Sequence, residues 1–394
     1  MNHTNSKLWT KNFIVLSSVN FTMTLIFFLL NATITLYAIN EYHASTSQAG
    51  IIAGIFIIGS LLGRLFIGRS IHTKKVLMTW LLFFIITTLL YFTHFNVSFL
   101  ILSRFLNGIT VGVVTTVVST SVVLSLPASR KGEGISYFAI STALATGIGP
   151  FIGMKMSQNG NFDMIFIFSV LLGIMNLIIA LLIKFPATNI TEIKIEKRLK
   201  VSGFIEPKVI PIAIIMFIMA FCFSGIVSYL NVYASEIGLI DTASFFFMVY
   251  TVFVLISRPF TGRIMDKKGA NIIIYPALLI FGAGMFLLSS VTTGVSLLIA
   301  GALVALGFGN ISSISQSIAI SLAEPHRVGL ATATFFIFYD LGNGFGPSII
   351  GLLIPVTGYK GLYVILGFII LASVFLYHQL YGKNERNNKK QMIN

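Results

Sequence analysis

The stretch "RKGEGISYFAISTALATGIGPFIG" at 130–153 returns, altered, as "RVGLATATFFIFYDLGNGFGPSIIG" at 327–351. Arg130, Gly132, Gly149 and Pro150 meet Arg327, Gly329, Gly346 and Pro347 at an offset of 197 residues. A second pair of copies, "GRSIHTKK" at 68–75 and "GRIMDKKG" at 262–269, lies at an offset of 194. Here Arg64, Phe66, Gly68, Arg69 and Lys74 meet Arg258, Phe260, Gly262, Arg263 and Lys268. Two independent matches at nearly one offset mark a parallel duplication of half the chain.

Composition says where such a chain lives. With 56% hydrophobic residues, 10% charged residues and a mean hydropathy of +0.93 over 394 residues, there is too little polar surface to cover a soluble globule. Apolar runs of about 20 residues, enough to cross roughly 30 Å of hydrocarbon, fill almost the whole sequence. Twelve are expected: 13–38, 47–71, 76–95, 99–126, 134–156, 162–186, 209–234, 242–265, 272–290, 294–322, 328–354 and 359–381. The predicted fold is an all-α integral membrane protein of 12 transmembrane helices in two pseudo-symmetric six-helix bundles. Residues 1–186 and 209–382 form the bundles, the charged stretch 187–208 the linker between them, and 383–394 a tail. Parallel repeats of this kind place a cavity between the halves near the midplane, exposed alternately to each side.

The net charge of +14 reports orientation rather than a nucleic-acid partner. With the N-terminus cytoplasmic, 23 of the 26 basic residues fall in cytoplasmic loops, tails and adjoining helix ends. Only Lys155 and Lys360 then lie outside, and Arg104 lies within a span, which is the positive-inside pattern. A multi-pass protein of the cell membrane with both termini cytoplasmic is expected, with the lipid bilayer as its surroundings, no nucleic acid, and a monomer sufficient. The segment "MNHTNSKLWTK" leads into a span too long for a cleavable signal, so it should stay as part of the first helix. Cys222 is the lone cysteine, which excludes an intrachain disulfide and a cysteine-based metal site.

With these residues in place, the sequence resembles the major facilitator superfamily, and within it the twelve-helix drug:proton antiporters, across essentially the whole chain. The loop after the second helix carries Gly68, Arg69 and Lys74, with His72 where the family pattern has an acid; its repeat carries Gly262, Arg263, Asp266 and Lys267. The resemblance implies that these loops form a cytoplasmic gate that latches one state. Read from charge alone, they only enforce topology. The fourth helix has "RFLNG" at 104–108, with Asn107 where the family has Gln, and the resemblance gives Arg104 a part in proton coupling. A charge inside the membrane is expensive, so Arg104 either has a partner or water, or snorkels to the interface. Arg104, Gly108, Thr115 and Ser119 fall within about 60° on one helical face, as the wall of a polar cavity would. In the fifth helix, Gly147, Gly149, Pro150 and Gly153 resemble the antiporter motif, although Met154 stands where a second Gly is expected; they make a hinge or a tight seam. The twin "GFGPSIIG" at 344–351 gives both halves this seam.

Asp340 is the single acidic residue expected deep in a span. A buried carboxylate can take up and release a proton as its exposure changes, so Asp340 is the preferred proton carrier; the alternative is a permanent bond inside the bundle. Asn20, Thr24, Asn31 and Thr35 share one face of the first helix within about 60° and form a hydrogen-bonding wall without charge. With Asn107 and Thr115, and with Tyr229, Tyr233, Tyr250, Phe336 and Tyr339 as rings for a flat ligand, they are the expected substrate cavity. No Walker A sequence, dinucleotide fingerprint, zinc motif or nucleophile elbow occurs, so neither an enzyme nor a cofactor is expected. The expected activity is alternating-access transport by proton-coupled export of a small amphipathic solute or drug. Proton-linked symport of a polar solute, or a receptor or scaffold on the same fold, is the alternative.

Overall fold

The computed structural model describes residues 8–67, 74–126, 131–158, 160–183, 205–324 and 327–383, and among them the chain is helical without a strand. In hydrocarbon every backbone donor and acceptor must be satisfied within the segment, and a helix achieves this. The helices are α1 Lys11–Tyr42, α2 Thr46–Ile67, α3 Lys74–Leu89, α4 Val97–Ser125, α5 Lys131–Ser157 and α6 Phe162–Leu181. Then follow α7 Ile210–Glu236, α8 Ile240–Lys268, α9 Asn271–Ser289 and α10 Gly294–Ser321. The segment Val328–Tyr377 is two helices joined across Gly358, whose φ of 62° no helix interior adopts. We label them α11 (328–357) and α12 (359–377). Among the described residues, eleven apolar helices of membrane length, the last broken at Gly358, thus give twelve spans as the periodicity predicts. Their ends differ from the predicted ones by up to about six residues, most at α3, which stops at Leu89, and next at α6, which stops at Leu181.

Polar residues at the breaks start the helices. Asn96 Oδ1 accepts from Phe99 N at 2.9 Å ahead of α4, Asn161 Oδ1 accepts from Met164 N ahead of α6, and Thr293 with Ser296 forms a capping box ahead of α10. At the other end of α6, Lys74 Nζ donates to the Leu181 carbonyl, one of the groups a helix C-terminus leaves open.

The chain divides into two compact units: Met1–Thr33 with Ile55–Ile195, and Ile34–Gly54 with Glu196–Asn394. In the first unit α2 and α4 interlock through four glycines. A Cβ on Gly59 would stand 2.3 Å from the Phe105 carbonyl oxygen and one on Gly63 2.3 Å from that of Ile109. Reciprocally, a Cβ on Gly108 would stand 2.1 Å from the Phe56 oxygen and one on Gly112 2.1 Å from that of Ser60. Lipid is as apolar as leucine, so helices associate by close backbone packing, and two G-x-x-x-G runs facing one another provide it.

The second unit packs α7 against α11, where Gly342 meets the Phe217 carbonyl and Gly346 meets Ser224 and Phe221. At one end of this unit Glu206, itself buried, pairs with Arg327 at 2.7 Å, and its backbone N–H donates to Thr334 Oγ1. That pair ties the entry to α7 to the start of α11.

Candidate functional site

Arg104 is the most polar group buried in the first unit. It is 0% exposed on α4, its guanidinium carbon 4.5 Å from the Phe56 ring centroid, so it does not snorkel to a surface. A desolvated cation over an aromatic face gains about 2 kcal/mol. Arg104 also acts electrostatically on the Tyr91 hydroxyl. Tyr91 sits on the 3-10 turn Leu90–Phe92 that ends α3, stacked on Phe166 at 5.1 Å. One turn along α4, Asn107 Nδ2 donates to Thr87 Oγ1 (3.1 Å) and Thr88 Oγ1 (3.0 Å), while its Oδ1 is buried without a hydrogen bond. Gly108 belongs to the glycine seam, and Thr115 turns its hydroxyl back to the Val111 carbonyl at 2.8 Å.

The four residues sharing a face of α1 are divided between the two units. Asn20 donates to Ser141 Oγ (2.9 Å) and Thr142 Oγ1 (3.1 Å), tying α1 to α5. Thr24 is part-exposed, and Asn31 is buried with its Oδ1 lacking a hydrogen bond. Thr35 lies in the second unit, where its hydroxyl donates to the Ser228 carbonyl. The fifth-helix motif also packs on α1: a Cβ on Gly149 would come 2.7 Å from the Leu25 oxygen, and one on Gly153 2.6 Å from that of Leu29. Gly147 and Pro150 are buried beside them. Gly346, the repeat of Gly149, packs on α7 in the equivalent way, so this motif is a seam in both units.

In the second unit, Tyr229 and Tyr233 point their hydroxyls at backbone. Tyr229 Oη donates to the carbonyls of Thr46 (3.0 Å) and Pro347 (2.8 Å) from a slot in which a Cβ on Gly50 or Gly351 would approach it to 2.4 and 2.5 Å. A phenol carries one proton, which these two carbonyls share. Around it, Thr46 Oγ1 donates to the Gly351 carbonyl at 3.0 Å, and a Cβ on Gly54 would meet the Gly344 oxygen. Tyr229 thus latches the start of α2 to α11. Tyr233 Oη donates to the Leu288 carbonyl at 3.0 Å, its ring packed on Tyr359 and Tyr363.

The latch makes a prediction. Removing the hydroxyl forfeits a net hydrogen bond of about 1 kcal/mol, so Tyr229→Phe should open the seam severalfold more often. In a Cys222→Ala background, a cysteine replacing the buried Ala49 should then react with a thiol reagent about threefold to tenfold faster. Unchanged reactivity would mean that Tyr229 only packs.

Beyond the latch lies an aromatic group built on a defect in α10. A π-helical turn at Ala305–Gly309 interrupts that helix, and Asn310 closes it: its Nδ2 donates to the Leu306 carbonyl, and its Oδ1 accepts from Ser257 and Thr261 of α8. The turn presents Phe308 face to face with Phe223 at 4.0 Å and 8° between planes. Tyr250 stands 5.5 Å from Phe223, and Tyr339 6.5 Å from Phe308. Phe336, 37% exposed, packs edge-on to Tyr339 at 6.3 Å, and Asp340 is 9% exposed on the next position of α11. Phe223 and Phe308 escape pattern reading because their place depends on the π-turn. The one signal for them is the glycine pair at 307 and 309.

Of the gate residues, Gly68, Arg69 and His72 lie outside the described residues, as does the side chain of Asp266. Lys74 caps α6, while Arg263 and Lys267 stand on the last turns of α8, where Gly262 has nothing within 4 Å of an added Cβ.

Known proteins share both the sequence pattern and the architecture. The sequence profile described as "Major Facilitator Superfamily" matches residues 16–347 and again 241–393. An uncharacterised MFS-type transporter of Methanocaldococcus jannaschii is 28% identical over 337 residues, covering 81% of this chain and 85% of its own. Multidrug resistance protein 2 of Bacillus subtilis is 24% identical over 364 residues, 88% of this chain and 89% of its own. Among solved structures, a POT family transporter in complex with a thioalcohol-conjugated peptide superposes with a TM-score of 0.75 at 16% identity, covering 94% of this chain and 96% of its own.

Proposed function

This chain belongs to the Major Facilitator Superfamily, and from that premise we propose that it exports a small amphipathic solute in exchange for protons by alternating access. The observation that carries the reading is Asp340, a carboxylate 9% exposed within an apolar helix. A carboxyl at such a place can take up and release a proton as its exposure changes, which is what coupling a proton to the conformational change requires. Arg104, wholly buried in the first unit, is the fixed charge of the cycle. Export is favoured over uptake by the glycine–proline seam of α5 and by similarity to a protein named for multidrug resistance.

In the second unit, the aromatic side chains of Tyr250, Phe336 and Tyr339 are the ones proposed to face the solute. Both termini lie in the cytoplasm in this reading, which the positive-inside distribution of the basic residues supports, and the protein works as a monomer in the cell membrane. The segment Ile34–Gly54 then lies toward the outside, and the Tyr229 latch becomes part of an outer gate. A ligand that binds one state better than the other shifts the pair of states only by that difference, so protonation of Asp340 must stabilise the state in which the latch is open.

The reading is tested with ethidium in efflux-deficient cells expressing the full chain. Retention should fall below that of cells lacking the protein, and a protonophore should restore it. Equal retention under all conditions sinks export of lipophilic cations and redirects the search to symport of a polar solute.

A further inference from the structure

The sequence "WTKN" at 9–12 sets the start of the first helix. Thr10 Oγ1 accepts from Phe13 N at 3.2 Å, so α1 begins at Lys11 and Trp9 is left outside it. Trp9 is exposed, edge-on to Phe13 at 5.5 Å and tilted on Tyr137 at 5.0 Å, the setting of a ring at a membrane–water boundary. Next to this turn the first unit holds a cavity of about 420 Å³, within the size range of small-ligand clefts, which the transport reading leaves unused. Its walls are Thr10, Lys11 and Asn12 where α1 begins, Ser125 at the end of α4 and Leu182 at the end of α6.

The polar end of this cavity is cationic. Lys11 is exposed and carries the one charge among the described lining residues. The Thr10 hydroxyl oxygen accepts the Phe13 N–H, and its own proton has no acceptor among the described residues. Lys74, whose Nζ donates to the Leu181 carbonyl, brings a second ammonium to within one residue of Leu182. Deeper along the helices the flanks turn apolar. Leu181, Leu182 and, one turn further in, Ile178 of α6 stand exposed, as does Ile14, one turn along α1 from Lys11. A soluble anion gains nothing from exposed alkyl flanks, and an apolar ligand gains nothing from an ammonium. An amphiphile with an anionic head gains from both.

We propose that this cavity seats the headgroup of an anionic phospholipid, of which phosphatidylglycerol is the simplest case. Lys11 meets the phosphodiester, the Thr10 hydroxyl donates to it, and the acyl chains run along Ile14 and Ile178. Net charge selects the head, because the choline or ethanolamine cation of a zwitterionic lipid meets no acid among the described lining residues. With the N-terminus cytoplasmic, as in the transport reading, the lipid comes from the inner leaflet; the site itself needs only the first unit.

The test uses the purified full-length protein in detergent at low salt, stripped of lipid. Native mass spectrometry reads the binding of the first lipid, and melting temperature is the control for folding. Dioctanoyl phosphatidylglycerol should bind about fivefold more tightly than dioctanoyl phosphatidylcholine, the gain of one lysine at a lipid headgroup. Lys11→Gln should erase that preference and leave phosphatidylcholine unchanged, whereas Lys11→Arg should keep it. Leu182→Glu, a change at an exposed position that sets a carboxylate against the phosphate, should erase it as well. Lys75→Gln, at an exposed lysine not in the lining, should behave as wild type. Glycerol 3-phosphate, a phosphate head without chains, should compete about a hundredfold more weakly than the lipid, since it buries no methylenes on the apolar flanks.

Equal binding of the two lipids by wild type overturns the site. So does a preference that survives Lys11→Gln and Leu182→Glu, or one that Lys75→Gln erases equally. Glycerol 3-phosphate competing as strongly as the lipid overturns the lipid as occupant in favour of a soluble phosphate ester. The two readings fail separately: proton-driven efflux without lipid selectivity removes only this site, and Lys11-dependent selectivity without efflux removes only the exporter.

Discussion

Asp340→Asn is expected to abolish proton-driven efflux, returning ethidium retention to that of cells lacking the protein at matched expression. The substitution keeps the shape of the side chain and one acceptor oxygen, replaces the other oxygen with an N–H donor, and removes the ability to ionise. A permanent hydrogen bond accepted by the retained oxygen would survive it in large part. Proton carriage would not, because each cycle must load and unload one proton at this position. Asp340→Glu, which moves the carboxyl by one methylene, should keep partial activity. Two further readings separate coupling from binding: in Asp340→Asn the protonophore should have no remaining effect, and ethidium binding to the purified protein should persist. Wild-type efflux in the Asn variant would remove Asp340 from the proton path, whatever the protein exports.

The second large effect is structural. Gly108→Leu should prevent accumulation of folded protein, and Gly108→Ala should lower the melting temperature in detergent by several degrees. A Cβ at Gly108 would stand 2.1 Å from the Phe56 carbonyl oxygen, and backbone cannot swing aside as a flexible side chain can. The α2 and α4 axes would have to part, loosening the reciprocal contacts of Gly59, Gly63 and Gly112 together. Overpacking of this kind costs about 1–3 kcal/mol for a methyl and more for a branched chain. Gly262→Ala is the matched comparison: nothing lies within 4 Å of its Cβ, and alanine favours a helix interior by about 1 kcal/mol, so the melting temperature should hold or rise. Equal behaviour of the two alanine variants would show that the seam is not tight in the folded protein.

Arg104 shows how far a residue pattern reaches. Its position in an apolar run announces a costly charge, but two outcomes, snorkelling or burial, satisfy the same spacing. Burial beneath Phe56 and beside Tyr91 is decided by residues 48 positions earlier and 13 positions earlier, on helices whose facing sides no periodicity names. Gly108 carries the same lesson. Helical spacing sets it beside Arg104 on the wall of an expected cavity, and the fold places it in the seam with α2. Tyr229 and Tyr233 are amphipathic rings suited to a ligand pocket, and in the second unit their hydroxyls are occupied by the carbonyls of Thr46, Pro347 and Leu288.

The amino-acid sequence by itself determined membrane residence, twelve spans, the duplication, and Asp340 as a carboxylate deep in a span. These are local properties: run length against bilayer thickness, the spacing of glycine and proline, and a charge where none is cheap. Even the last break was legible, since Gly358 lies between the predicted spans 328–354 and 359–381 and takes a φ of 62°. Only the tertiary structure decided what each helical face meets. It closed α2 on α4, assigned Thr35 and the start of α2 to the second unit, and turned α10 through a π-helical step. The reason is that a 3.6-residue period tells which side chains share a face, while what that face meets depends on helices far away along the chain.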